Sequence, residues 1–142
     1  MPFERMLAEL FQDEDRARDM ASRLMQRAQA SPKEVVSERT DLIEFLSGPM
    51  ERHMSYEERF IFPSLVKRGL GPEVQVAEKQ HDSVRQAVIR LREAPDSELA
   101  QIIFETARLL LHHTNFECDY IYPELTLSAW IELMKETAEQ KG

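Results

Sequence analysis

The chain has 142 residues, 42% of them hydrophobic and 31% charged, with a formal net charge of −8 at pH 7. That is the size of one domain able to bury a proper core, and the acidic balance excludes a nucleic-acid-binding face and attraction to an anionic membrane surface. No apolar run is long enough to span a bilayer. The N-terminal stretch MPFERMLAEL is not a secretory leader, and Cys118, the single cysteine, permits no intrachain disulfide, so a cytoplasmic setting is expected.

Four glycines and the lack of any Asn-Gly turn point to an all-α chain. Helix one is expected over about 3–29. Its inward stripe is Phe3, Leu7, Leu10, residue 14, Ala17, Ala21, Leu24 and Ala28, and residue 14 is a glutamate. Ser31, Pro32 and Glu34 offer a capping box for helix two, expected over about 32–66. Gly48-Pro49 predicts a kink in it and Pro63 a further bend. Its stripe carries Leu42, Leu46, Met50, His53, Glu57, Phe60 with Ile61, and Ser64.

Helix three is expected over about 72–94, with His81 among Val74, Ala77, Val84, Val88 and Leu91. Helix four, over about 97–122 after a cap at Pro95-Asp96-Ser97, carries Leu99, Ile103, Thr106, Leu110, His113, Glu117, and Tyr120 with Ile121. A shorter helix over about 127–138 carries Trp130, Leu133 and Met134. Amphipathic helices joined by short connections predict an antiparallel up-down-up-down four-helix bundle with a short C-terminal fifth helix. That last helix packs on the bundle or makes a homodimer.

Two segments of this chain repeat one another. Residues 53–63 read HMSYEERFIFP and residues 113–123 read HTNFECDYIYP. His53/His113, Glu57/Glu117, Ile61/Ile121 and Pro63/Pro123 share one offset. Residues four apart lie on one helix face, so each His points with its Glu. Together with Glu14 and His81, three imidazoles and three carboxylates fall on core stripes. Buried charges are costly unless paired or bound to metal, and mixed nitrogen and oxygen ligation suits iron, manganese or zinc. The repeat reads as two half-sites of a carboxylate-bridged metal pair.

The run EFLSGPMERHMSYEERFIFPSL, His81-Asp82, and His113-x-x-x-Glu117 leading into Ile121-Tyr122-Pro123 resemble the hemerythrin-like (HHE cation-binding) family over about residues 5–125. The resemblance implies a four-helix bundle with a non-haem di-iron centre. His53, His81 and His113 would be terminal ligands and Glu57 and Glu117 bridges. The family has a His on helix one where this chain reads Asp13-Glu14-Asp15. Glu14 takes that place by register, with Asp15 as the second choice of residue; outright loss of the ligand is the alternative to Glu14 and ranks ahead of Asp15. The family's oxygen carriers also have a further His on helix three, where this chain has Val84 and Val88. A carboxylate in place of an imidazole adds negative charge and favours the ferric state. Open positions on the metals favour reaction with oxygen, peroxide or nitric oxide over reversible carriage. Rival readings are an iron-handling or iron/oxygen-sensing module without turnover, and a metal-free structural bundle.

Other residues read more plainly. His112 flanks the stripe, Glu58 faces outward or touches a ligand from behind, and Cys118 is a small filler. Tyr56 and Tyr120 pack amphipathically, with proximity to the metals as the alternative. No nucleophile constellation, phosphate loop or CxxC pattern is present.

Overall fold

In the computed structural model, residues 3–124 and Lys135 are described, and every element among them is helical. The elements are α1 (Phe3–Ala30), α2 (Pro32–Val35), a 3₁₀ turn (Val36–Glu38), α3 (Arg39–Ser47), α4 (Pro49–Tyr56), a π-helical segment (Glu57–Ile61), α5 (Phe62–Lys67), α6 (Gly71–Glu93), α7 (Asp96–Phe116), a second π segment (Glu117–Ile121) and a 3₁₀ turn (Tyr122–Glu124). The fifth helix expected over 127–138 lies outside this described stretch. None of the described helices is long and apolar enough to cross a membrane.

The single second helix expected over 32–66 is a broken column. At Gly48 the backbone takes φ −106° and ψ −96°, and a Cβ there would meet the Glu44 carbonyl at 2.9 Å. Only glycine fits that approach, and Pro49 restarts the helix behind it. The expected caps differ too. Ser31 makes no side-chain cap bond; its carbonyl instead accepts from the N–H groups of Glu34 and Val35, each at 3.0 Å. Asp96 likewise caps nothing, and its carboxylate pairs with Arg39 at 3.2 Å.

Both copies of the repeat contain a π segment that ends two residues before the shared proline. Pro63 and Pro123 have no N–H, so the carbonyl four residues before each loses its α-helical donor. The chain widens by one residue ahead of each proline: Phe62 N–H bonds to Glu57 O, and Tyr122 N–H bonds to Glu117 O. The extra residue rotates the side chains of the next turn about the helix axis. Phe62 and Tyr122 turn inward and are buried, while Tyr120, expected inward, is 56% exposed.

α1 packs against α7, α7 against α6, α6 against α3, and α4 against α1. Two apolar clusters fill the interior. One joins Ala17, Ala21, Leu42, Met50, Val84 and Leu110 to their neighbours. The other joins Leu10, Ile61, Phe62, Val74, Ala77 and Ile121. Each column passes from one cluster to the other, and the polar core residues occupy the layer between.

Candidate metal centre

That layer contains Glu14, His53, Glu57, His81, His113 and Glu117, each no more than 1% exposed. α1 delivers Glu14 and α6 delivers His81. In each repeat the His comes from the end of an α-helix and the Glu from the first residue of the π segment. The six form two sets of four, Glu14-His53-Glu57-Glu117 and Glu57-His81-His113-Glu117, with the ligand atoms of each set within 4.8 Å of one another. Glu57 and Glu117 belong to both.

The imidazoles all face inward through Nε2. His53 Nε2 is 2.8 Å from Glu14 Oε1 and 3.3 Å from Glu57 Oε1. His81 Nε2 is 3.3 Å from Glu57 Oε1, and His113 Nε2 is 2.5 Å from Glu117 Oε1. Behind each ring, Nδ1 faces an oxygen acceptor: Asp13 for His53 at 3.3 Å, Glu58 for His81 at 2.7 Å, and Gln80 for His113 at 2.7 Å. Such partners place the proton on Nδ1 and leave the Nε2 lone pair free for a metal.

The inner atoms do not satisfy one another. Both Glu14 oxygens, both Glu117 oxygens, Glu57 Oε1, and Nε2 of His81 and His113 lack an aligned hydrogen bond despite burial. Buried polar atoms are almost always hydrogen-bonded. Close approach without hydrogen-bond alignment is what donor atoms show when they converge on common points rather than on each other. The residues present therefore fit a pair of cations, and this donor set is the one expected for iron, manganese or zinc.

Electrostatics agree. Burial, with the Glu117 charge added, pushes the Glu14 carboxyl up to about 8. Burial and Glu117 also raise Glu57. Burial opposes charge on His81, but Glu117 and Glu57 outweigh it and lift the ring to about 10. His53 is likewise raised above its ordinary value, against burial, by Glu57, Asp13, Glu117 and Glu14. Glu117 is held well below the carboxylate range, against burial, by His113, Glu57 and His53.

The two acidic residues weighed for helix one differ in placement. Glu14 points into the cluster, whereas Asp15 is exposed and pairs with Arg18. Glu58 takes the outer position behind His81, and His112 is exposed. Cys118 sits 2.8 Å from Arg18 Nη1, and burial, with Glu14, raises its thiol, in keeping with an inert side chain. Tyr56 is half-buried against Phe60, ring centroids 4.9 Å apart.

Sequence reasoning missed Tyr122, whose hydroxyl reaches Glu57 and His53. It also missed Asp13 and Gln80 behind the rings. The available signal for Tyr122 was its match to Phe62 in the repeat; Gln80 and Asp13 carry none. A cavity of about 230 Å³, lined by Leu10, Asp13, Pro49, Arg52, His53 and Tyr56 among others, opens beside the Glu14/His53 set.

An all-helical fold around a buried His-carboxylate layer defines a cation-binding helical protein. Residues 5–125 match the family model described as the hemerythrin HHE cation binding domain. The chain belongs to the hemerythrin HHE cation-binding family. Neither the curated proteins nor the solved structures offer a match to it.

Proposed function

We propose that the chain is a non-haem di-iron protein that binds or reduces oxygen, peroxide or nitric oxide, built on an up-down-up-down four-helix bundle. Glu14 and His53 would hold one iron, His81 and His113 the other, and Glu57 and Glu117 would be shared. The observation that carries this reading is the sharing itself: two four-residue donor sets meet in the same two carboxylates. Bound iron would supply one-electron redox chemistry and positions open to a small ligand.

The chain's own residues do the rest. Asp13, Glu58 and Gln80 orient the three rings from behind. The two apolar clusters close the layer from both sides, so water reaches it sparingly. The cavity lined by Asp13 and His53 would bring a diatomic molecule or peroxide as far as the outer edge of the His53 ring. With no metal bound, Tyr122 donates to Glu57 Oε2 at 3.1 Å.

Elemental analysis of protein from iron-supplemented cells, with an optical spectrum of the same sample, tests the reading. About two irons per chain with ferric charge-transfer absorption is the expected result. Two manganese or zinc ions would keep the donor arrangement and remove most of the oxygen chemistry. No metal after reconstitution would overturn the proposal in favour of a structural bundle. Iron that stabilises the fold without any turnover of peroxide would point to iron handling or sensing instead.

A further inference from the structure

Tyr122 Oη lies 3.1 Å from Glu57 Oε2 and 3.3 Å from His53 Nε2, and the residue is 6% exposed. Both neighbours belong to the set formed with Glu14 and Glu117. In the first copy of the repeat the same position is Phe62, which stacks on His81 with ring centroids 5.4 Å apart and brings no donor atom. The π segment before each proline turns both residues inward, yet only the second copy turns in an oxygen.

Resting on the di-iron reading above, we propose that Tyr122 is a further metal ligand, binding ferric iron at the Glu14/His53 position through its phenolate oxygen. Spacing is the first argument. Two donors at right angles on one ion, with bonds of about 2.0–2.2 Å, stand about 3 Å apart. Tyr122 Oη keeps that separation from both His53 Nε2 and Glu57 Oε2.

The second argument is the imbalance between the two donor sets. The His81/His113 position has two imidazoles with the shared carboxylates, whereas the Glu14/His53 position has one imidazole with three carboxylates. The side with fewer imidazoles is the side that Tyr122 faces. A hard anionic oxygen there completes an oxygen-rich environment of the kind a trivalent ion prefers.

The step balances simply. The phenol O–H bond breaks, an oxygen–iron bond forms, and the proton passes first to the Glu57 carboxylate that already accepts from the hydroxyl and then to buffer. Iron remains ferric throughout. Where no cation is bound, the hydroxyl donates to Glu57 Oε2 instead. A bound cation reverses that preference.

The test loads the full chain with ferrous iron anaerobically, oxidises it with ferricyanide, removes the excess and measures iron per chain, visible absorption and resonance Raman scattering. The expected result is a phenolate-to-iron charge-transfer band whose enhanced ring modes shift when the tyrosines are ring-deuterated. Tyr122→Phe, which installs the side chain that Phe62 already places at the matching position, should keep its iron and lose the band. Tyr56→Phe and Tyr120→Phe should keep the band, which assigns it by elimination among the three tyrosines even should Tyr122→Phe fold poorly. Iron-loaded wild type without tyrosine ring modes, or ring modes surviving in Tyr122→Phe, would overturn the proposal while leaving the di-iron reading intact. Wild type that takes up no iron would defeat that reading, and this proposal with it.

Discussion

Glu58 Oε2 stands 2.7 Å from His81 Nδ1, on the edge of the ring that faces away from the cluster. Glu58 is itself clamped by Arg85, whose Nη1 and Nη2 approach its two oxygens at 3.0 and 2.9 Å, and Arg85 also grips Glu51. Burial alone would raise the Glu58 carboxyl; Arg85 and His81 outweigh it and hold it below its usual range. An ionised Glu58 fixes the tautomer of His81 and strengthens Nε2 as a donor. Replacing Glu58 by Gln keeps a hydrogen-bonding side chain and removes the charge. Metal affinity should fall about 10–100-fold, read by competition against a chelator of known affinity. Unchanged affinity would show that the charge behind His81 does not act on the site.

The shared carboxylates make a prediction about stoichiometry. Glu14 belongs to one donor set and Glu57 to both. On the di-iron reading, Glu14→Ala should leave about one iron per chain against about two expected for the wild type, whereas Glu57→Ala should weaken both positions together. Elemental analysis separates these outcomes. Equal losses from the two variants would mean that the positions fill only as a pair.

The repeat and the four core stripes made most of this site legible in the sequence. His and Glu at four-residue spacing fix a common helix face, and apolar neighbours fix which face is inward, so all six inner residues could be named. Glu14 was placed by register against Asp15, and burial follows register. The features hidden from the sequence were local. A proline that removes one N–H can bend a helix, loosen it or widen it into a π turn, and only the third brings Tyr122 inward and sends Tyr120 out. The partners behind the rings depend on contacts between helices at fixed depth, as with Gln80 beside His113, and no single-helix pattern carries that information. The caps failed for a similar reason: Asp96 has a better partner in Arg39 than in its own helix.

The raised Glu14 and His81 predict how metal binding depends on pH. At pH 7 both Glu14, at about 8, and His81, at about 10, are largely protonated without metal. A metal takes the place of both protons. Loading at pH 7 should therefore release protons, seen by calorimetry as a dependence of the observed heat on the buffer's ionisation enthalpy.

The same shifts set the sign for stability. Folded values raised above the ordinary ones contribute stability at low pH that is lost as pH climbs through them. For Glu14 that loss runs from the ordinary value of 4.5 to about 8, and for His81 from 6.5 to about 10. Glu117, shifted the other way, loses its contribution only in acid. Chelator-treated protein should thus weaken as pH rises from 4.5 to about 10, most steeply where the two ranges overlap, from 6.5 to about 8, while loaded protein should not. With free metal at about a thousand times its Kd, binding adds about 4 kcal/mol, and the gap in Tm between the two forms should widen as pH rises. A gap that narrows would place the protons elsewhere.

Glu14 in place of an imidazole also predicts how the ferrous protein meets oxygen. On the di-iron reading, the three carboxylates of the Glu14/His53 set, with Tyr122 at 3.1 Å from Glu57 on the same side, would favour a ferric ion there and lower its reduction potential. Reversible carriage needs the metal to return to the ferrous state when oxygen leaves, and this environment opposes that return. Rapid mixing of ferrous protein with oxygen should give a spectrum that purging with argon does not reverse. Glu14→His should shift the potential upward and slow that irreversible oxidation, because it removes one negative charge from the iron while retaining a donor atom in α1. A wild-type spectrum that returns to its starting form on removing oxygen would mean that the carboxylate does not set the potential.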